Sequence, residues 1–196
     1  IVNVNRLDSN ADLDEKTLIV DTRPAEKFKK GHHPNAINIP DGNKFETWLG
    51  SLISPEENFY LMTQNDEELE TVIYKSAKIG YEQLVKGALV APDNLTVKSD
   101  KANPDDIHKH PERFTIVDVR NESEVEAEPM FADSINIPLN ELREKYSDIN
   151  TDKPIAVHCA GGYRSAIGSS ILEKHFPNAE IHDISESIKE IKAAMA

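Results

Sequence analysis

The sequence predicts an α/β fold built twice over, each copy a mainly parallel sheet with helices on both faces. Three observations predict it. The chain repeats itself: Leu18-Ile-Val-Asp-Thr-Arg23 returns as Thr115-Ile-Val-Asp-Val-Arg120 at an offset of 97, and Ala36-Ile-Asn-Ile-Pro40 as Ser134-Ile-Asn-Ile-Pro138 at an offset of 98. Short β-branched runs, too brief for helices, punctuate each copy. Longer stretches carry apolar residues at helical spacing, and strands interleaved with helices argue for a parallel sheet covered on both sides.

In chain order, residues 18–20 and 115–119 read as buried first strands, and a second strand ends at each Asn-Ile-Pro. Third strands at 59–62 and 155–158 lead into helices. The first helix, over 69–79, has Leu69, Val72, Ile73 and Ala77 on one face; the second, over 165–176, has Ala166, Ile167, Ile171 and Leu172. Phe45 and Trp48, three residues apart, read as the core face of another helix, and the acidic run 122–128 as an exposed one. The stretch 87–104 holds two prolines, two asparagines and several charges, and is the natural junction, with its first residues also able to close the first unit. Domains of 1–92 and 93–196 follow.

A length of 196 residues suits two small domains, each able to bury a core. With 22 basic against 35 acidic residues the net charge is −13, and the excess is shared: 10 against 15 over residues 1–90, and 12 against 20 over the rest. Neither copy offers the positive field that nucleic acid or an anionic membrane surface requires. No run nears the roughly 20 apolar residues of a membrane span. The start lacks the basic and apolar segments of a secretory signal, so the chain is expected in the cytoplasm. It opens on Ile1 without a Met, which suggests a piece of a longer protein.

Cys159 is the only cysteine, which excludes an internal disulfide and a multi-cysteine metal site. His32, His33, His108 and His110 lack carboxylate or thiol company at ligand spacing; they read as solvated surface, and no metal is expected.

The chemistry concentrates in Ile155-Ala-Val-His-Cys-Ala-Gly-Gly-Tyr-Arg-Ser165. An apolar strand runs into Cys159, then Gly161 and Gly162, then Arg164 at the mouth of a helix. Adjacent glycines let the backbone curl so that successive N–H groups converge, and the helix adds the positive end of its dipole. Such an anion cradle should ionise a thiol more readily than its free pKa of about 8.5, toward the roughly 3.5–7.5 found near helix N-termini and arginines. Cys159 is therefore the candidate nucleophile. For Arg164 two roles stand open, contact with an anionic substrate and bracing of the loop. Ser165 is expected to be the helix N-cap, with donation of a hydrogen bond to the sulfur as the lesser alternative. His158 reads as a packed or hydrogen-bonded histidine rather than a proton shuttle. Asp118 and Arg120 recur as Asp21 and Arg23 in a copy without the cysteine, so their expected role is a structural ion pair or loop cap.

The repeated Asp-x-Arg strand end, the Ala-Ile-Asn-Ile-Pro strand preceded by Gly31-His-His-Pro-Asn35, and Cys159-Ala-Gly-Gly-Tyr-Arg164 before a helix together resemble the rhodanese family of sulfurtransferases. The resemblance covers essentially the whole chain as two tandem rhodanese-like domains. It implies a cysteine that takes sulfane sulfur from thiosulfate or a low-molecular-weight persulfide, becomes a persulfide, and passes the sulfur to a thiol or cyanide acceptor. Cys159 would be the carrier, Ala160, Gly161, Gly162, Tyr163 and Arg164 the cradle, and Ser165 a neighbour of the bound sulfur. The reaction requires no metal or organic cofactor in this chain. The pair is also similar to the C-terminal portion of fusions between a metallo-β-lactamase-like persulfide dioxygenase and a rhodanese pair. That implies a dioxygenase-like domain upstream as partner, iron there, and a place in sulfide and persulfide detoxification.

The first copy has Leu61-Met-Thr-Gln-Asn-Asp-Glu-Glu68 where the second has its cysteine loop, with Thr63 nearest to the nucleophile's position. Without thiol, glycine or arginine, and with three acids, this copy is expected to be inert and structural. The second copy departs from the family at Glu128-Pro-Met-Phe-Ala132, where Gly-His is absent, and at Asp183-Ile-Ser-Glu-Ser-Ile188, where a glycine pair is common; both changes are expected to alter the entrance. A cysteine phosphatase or arsenate reductase is the rival enzyme. Such sites commonly place five residues between Cys and Arg, and here four intervene, which makes a smaller pocket. A non-catalytic scaffold, or a redox sensor using Cys159, is the rival from another class.

Overall fold

The computed structural model describes residues 2–101, 103–184 and 187–196. The chain divides into two compact units, Ile1–Lys98 and Ser99–Ala196. Residues 93–98, which the sequence assigned to the second domain, thus fold with the first. Val97 pairs with His32 across an isolated bridge, and the His32 N–H donates to the Val97 carbonyl at 2.9 Å.

The first unit runs β1 (Leu18–Asp21), α1 (Ala25–Lys30), β2 (Ala36–Asn38), α2 (Phe45–Leu52), β3 (Phe59–Thr63), α3 (Asp66–Lys78) and β4 (Val85–Val90). Its four strands are parallel in the order β2-β1-β3-β4. Every residue of β1, β2 and β3 is buried, which is why these strands read as continuous apolar runs rather than alternating ones. One face buries Ile19, Phe28, Tyr60, Met62 and Leu89, and α3 brings Leu69, Val72 and Ile73 to its own interface.

The second unit repeats the plan: α4 (Pro104–Lys109), β5 (Thr115–Asp118), α5 (Glu122–Ala127), β6 (Ile135–Asn136), α6 (Leu142–Lys145), β7 (Ile155–His158), α7 (Tyr163–His175), β8 (Ile181–Asp183) and α8 (Ile188–Met195). The order β6-β5-β7-β8 is again parallel. Ile107 of α4, Ile116, Ala156, Ile184 and Ile191 of α8 fill one side. Among the described residues no helix is long and apolar enough to cross a membrane.

Several expectations change. The first residues of the 87–104 stretch do close the first unit, since Gly87 to Val90 complete the edge strand β4, and β8 is a fourth strand that the sequence reading did not contain. Phe45 is fully buried whereas Trp48 is only half-buried. His32 is not solvated surface: it is buried, stacked on Phe28 with ring centroids 3.9 Å apart, and its Nδ1 lies 2.9 Å from the Phe28 carbonyl. His108 lies on α4 and is half-buried. Gly31 is required by close approach, since a Cβ there would stand 2.4 Å from the Leu95 carbonyl oxygen. Of the departure at 183–188, residues 185 and 186 lie outside the described residues.

Candidate active site

In a sheet of order β6-β5-β7-β8 the chain steps to opposite sides of β5, and ligands bind beyond the strand ends at such a switch point. β5 ends there on Asp118 and β7 on His158, which pair in register, so Cys159 is the first residue past the sheet. In the first unit Asp21 pairs with Met62, which puts Thr63 at the position of Cys159.

Cys159 is buried, and its loop turns the backbone inward upon it. The Gly162 N–H donates to Sγ at 3.0 Å and the Ser165 N–H at 3.3 Å. Gly162 makes this possible with φ 103°, a left-handed conformation strained for any other residue. Gly161 has no such φ and open space around it, so only one of the two glycines is used for its backbone freedom. Ala160 and Gly161 form the exposed rim, and Tyr163 opens α7. No acid occupies the first turn of α7, which leaves the positive end of its dipole uncancelled beside the sulfur.

One expectation for this loop is corrected, and of the two roles open for Arg164 one is observed. Ser165 is not the N-cap: the cap position is Gly162, and Ser165 sits inside the helix, fully buried. Its hydroxyl lies 3.5 Å from Cys159 Sγ, with the thiol as donor, and 3.1 Å from the Gly162 carbonyl, to which it donates. The hydroxyl thus accepts from the thiol rather than donating to it, and the Ser165 donor that meets the sulfur is its backbone N–H. Arg164 does not point its fork at the sulfur; Nη1 donates to Glu124 Oε2 at 2.7 Å and Nη2 to Oε1 at 2.9 Å. Bracing is its observed role. Glu124 was read only as part of an exposed acidic face. The arginine holds its carboxyl down to about 2, together with a hydrogen bond from the Asn121 N–H.

Behind the loop lies a network present in both units. Arg120 Nη2 donates to Asp118 Oδ2 at 2.7 Å and to the Glu128 carbonyl at 3.0 Å. Arg23 Nη2 donates to Asp21 Oδ2 at 2.7 Å and to the Gly31 carbonyl at 2.9 Å. Asn136 Nδ2 ties Asp118 and Arg120 carbonyls at 2.9 Å each, as Asn38 Nδ2 ties those of Asp21 and Arg23. The ion pair therefore clamps the turn after the first strand to the segment that enters the second. The missing Gly-His of the second unit costs it nothing here, because Glu128 supplies a backbone carbonyl where Gly31 does.

His158 is fully buried, its ring edge-on to Phe131 at 5.2 Å. Nε2 stands 3.4 Å from Asp118 Oδ2, yet neither ring nitrogen has a hydrogen-bond partner, since Arg120 occupies that carboxylate. Burial outweighs the pull of Asp118 and pushes the imidazole down to about 4. The unfolded chain therefore binds a proton near 6.5 that the folded chain refuses until about 4. Stability attributable to neutral His158 is complete above 6.5, declines as pH falls toward 4, and amounts to on the order of 3 kcal/mol. His158→Met, which installs the residue found at Met62, is expected to flatten that slope in denaturant titrations between these pH values.

The first unit's loop is built differently. Thr63 is buried, and its Oγ1 donates to the Asn65 carbonyl at 3.0 Å. Asn65 caps α3 by accepting the Glu68 N–H at 2.9 Å, and Asp66, Glu67 and Glu68 fill the first turn, cancelling its dipole. Thr63→Ala is expected to leave sulfur-transfer rates unchanged in steady-state assays of the full chain. Among the described residues no cluster of His, Cys, Asp or Glu is arranged to hold a metal ion.

Comparison with known proteins agrees with this architecture. The rhodanese-like domain family matches twice, over residues 5–91 and 102–194. The chain is 33% identical over 60 residues to the uncharacterized protein YqhL of Bacillus subtilis (strain 168), covering 31% of this chain and 47% of that protein's length. Among solved structures it is similar to a rhodanese-related protein from Thermoplasma volcanium, with 35% identity, 46% of this chain and 91% of that one covered, and a TM-score of 0.40. It is also similar to a probable thiosulfate sulfurtransferase, with 17% identity, 94% and 98% covered, and a TM-score of 0.36. Because the family's domain is found once in each half and together these matches span nearly the whole chain, the protein belongs to the rhodanese-like domain family as a tandem of two such domains.

Proposed function

We propose that the chain is a sulfurtransferase in which Cys159 carries sulfane sulfur from thiosulfate or a low-molecular-weight persulfide to a thiol or cyanide. The observation that carries this reading is the pair of backbone N–H groups, from Gly162 and Ser165, aimed at a single sulfur atom at 3.0 and 3.3 Å. Hydrogen bonds of this kind favour an anion over its neutral form and stabilise charge as it develops. The Cys159 thiolate attacks the outer sulfur of thiosulfate, and the electron pair of the broken S–S bond departs on sulfite. The persulfide then yields its outer sulfur to the acceptor, and the thiolate returns. Splitting the transfer through a covalent intermediate replaces one difficult step by two easier ones. The transfer asks for no separate general base, and His158, fully buried with its imidazole pushed down to about 4, is not assigned that role.

Only the second unit transfers sulfur in this reading, and the first is a structural companion. No cofactor is called for in this chain. The reading extends to a cytoplasmic setting in sulfide and persulfide detoxification, with a dioxygenase-like domain as partner. Incubation of the full chain with thiosulfate or glutathione persulfide, followed by intact mass measurement, tests it. Gain of one sulfur atom on Cys159 is expected. Phosphate release from an aryl phosphate without sulfur uptake would instead favour the phosphatase chemistry, and inertness in both assays a scaffold.

A further inference from the structure

Resting on that sulfur-transfer reading, we propose that Glu124 is a specificity-determining positioning residue: by engaging both Nη atoms of Arg164 it withholds the loop's guanidinium from substrate and sets the site against sulfonate-bearing donors, in favour of persulfides. The carboxylate is fixed from two sides. Arg164 holds it through two near-parallel bonds of 2.7 and 2.9 Å, a fork-to-fork geometry that single-point contacts do not match. The Asn121 N–H donates to the same Oε2 at 3.0 Å, closing the capping box of α5.

Among the described residues, Arg120 also stands in a buried ion pair with Asp118 at 2.7 Å, and Lys192 in a looser, exposed one with Glu128 at 3.6 Å. With Arg164 engaged, the anion-favouring groups observed at the sulfur are the Gly162 and Ser165 amides and the uncancelled dipole of α7. Those amides converge on one sulfur. Thiosulfate brings three further oxygens and a second charge, which leave as sulfite and gain from a cation alongside. A persulfide needs less: the Cys159 thiolate attacks its outer sulfur, the S–S bond breaks, and the electron pair leaves on the donor's own thiolate while the transferred sulfur keeps its proton.

In the unit without the cysteine both positions carry the opposite charge. Counting from the shared Asp-x-Arg, Glu124 corresponds to Lys27, and the second residue of α7, Arg164, corresponds to Glu67 in α3. Both signs are reversed in the copy that lacks the cysteine.

The experiment measures kcat/KM of the full chain with thiosulfate and with glutathione persulfide for wild type, Glu124→Gln and Glu124→Asp. The wild type is expected to prefer glutathione persulfide. Glu124→Gln, which frees the Arg164 charge, is expected to raise kcat/KM for thiosulfate by roughly tenfold, chiefly through KM, while the persulfide value stays within about twofold. Glu124→Asp, which keeps the charge, should retain the wild-type ratio. Equal losses with both donors in Glu124→Gln, or a wild type that favours thiosulfate, would overturn the proposal and leave Glu124 a brace. Sulfur uptake by the wild type from neither donor would instead remove the sulfur-transfer reading beneath it.

Discussion

Replacing Cys159 with Ser is expected to abolish sulfur transfer, by a factor of about 10³ or more, while the protein unfolds at close to its wild-type denaturant midpoint. The hydroxyl is nearly isosteric with the thiol and can accept the same Gly162 and Ser165 N–H groups, so the loop has no reason to rearrange. It cannot store sulfur at neutral pH, because an alkoxide is far less accessible than a thiolate. Sulfite release from thiosulfate and intact mass after donor treatment provide the readouts. Residual transfer in this variant would require a second acceptor, and the sequence contains no other thiol.

The largest expected loss of stability comes from Arg120→Ala. The side chains of Arg120 and Asp118 are 2% and 1% exposed, so deletion of the guanidinium strands a carboxylate in the interior. Breaking one side of a buried pair costs about 3–5 kcal/mol, against the 0–1 typical of exposed pairs. The Glu128 carbonyl loses its donor at the same time, which frees the connection into β6. Urea unfolding should show a lower midpoint with an unchanged slope. Lys145→Ala, which removes an exposed partner of Glu141, is the natural control and should barely move it.

How much of this was legible in the sequence depends on how local each feature is. The repeat and the first three strands of each unit were readable, because strands buried on both faces leave uninterrupted apolar runs. β4 was obscured by Gly87 and by the prolines beyond it, and β8 has only three residues, one of them His182. The Arg164–Glu124 lock joins residues 40 positions apart and draws on a helix with no buried residue, so hydrophobic pattern carries no trace of it. Opposite charges at matched positions of the two copies, Lys27 with Glu67 and Glu124 with Arg164, were the available signal. Ser165 was misread because serine is a common cap. The left-handed Gly162 takes that position instead, and it does so to turn an amide onto the sulfur. The burial of His32 could have been found from Phe28 one helical turn before it, a spacing that permits stacking.

The Asp-x-Arg clamp and its asparagine are reproduced almost bond for bond in a copy that has no thiol. Framework and reagent are consequently separable inheritances: the first is written into turns at the strand ends, the second into a few positions at one rim. A gene duplicate could shed its reagent in a handful of mutations and still persist as a well-made building block.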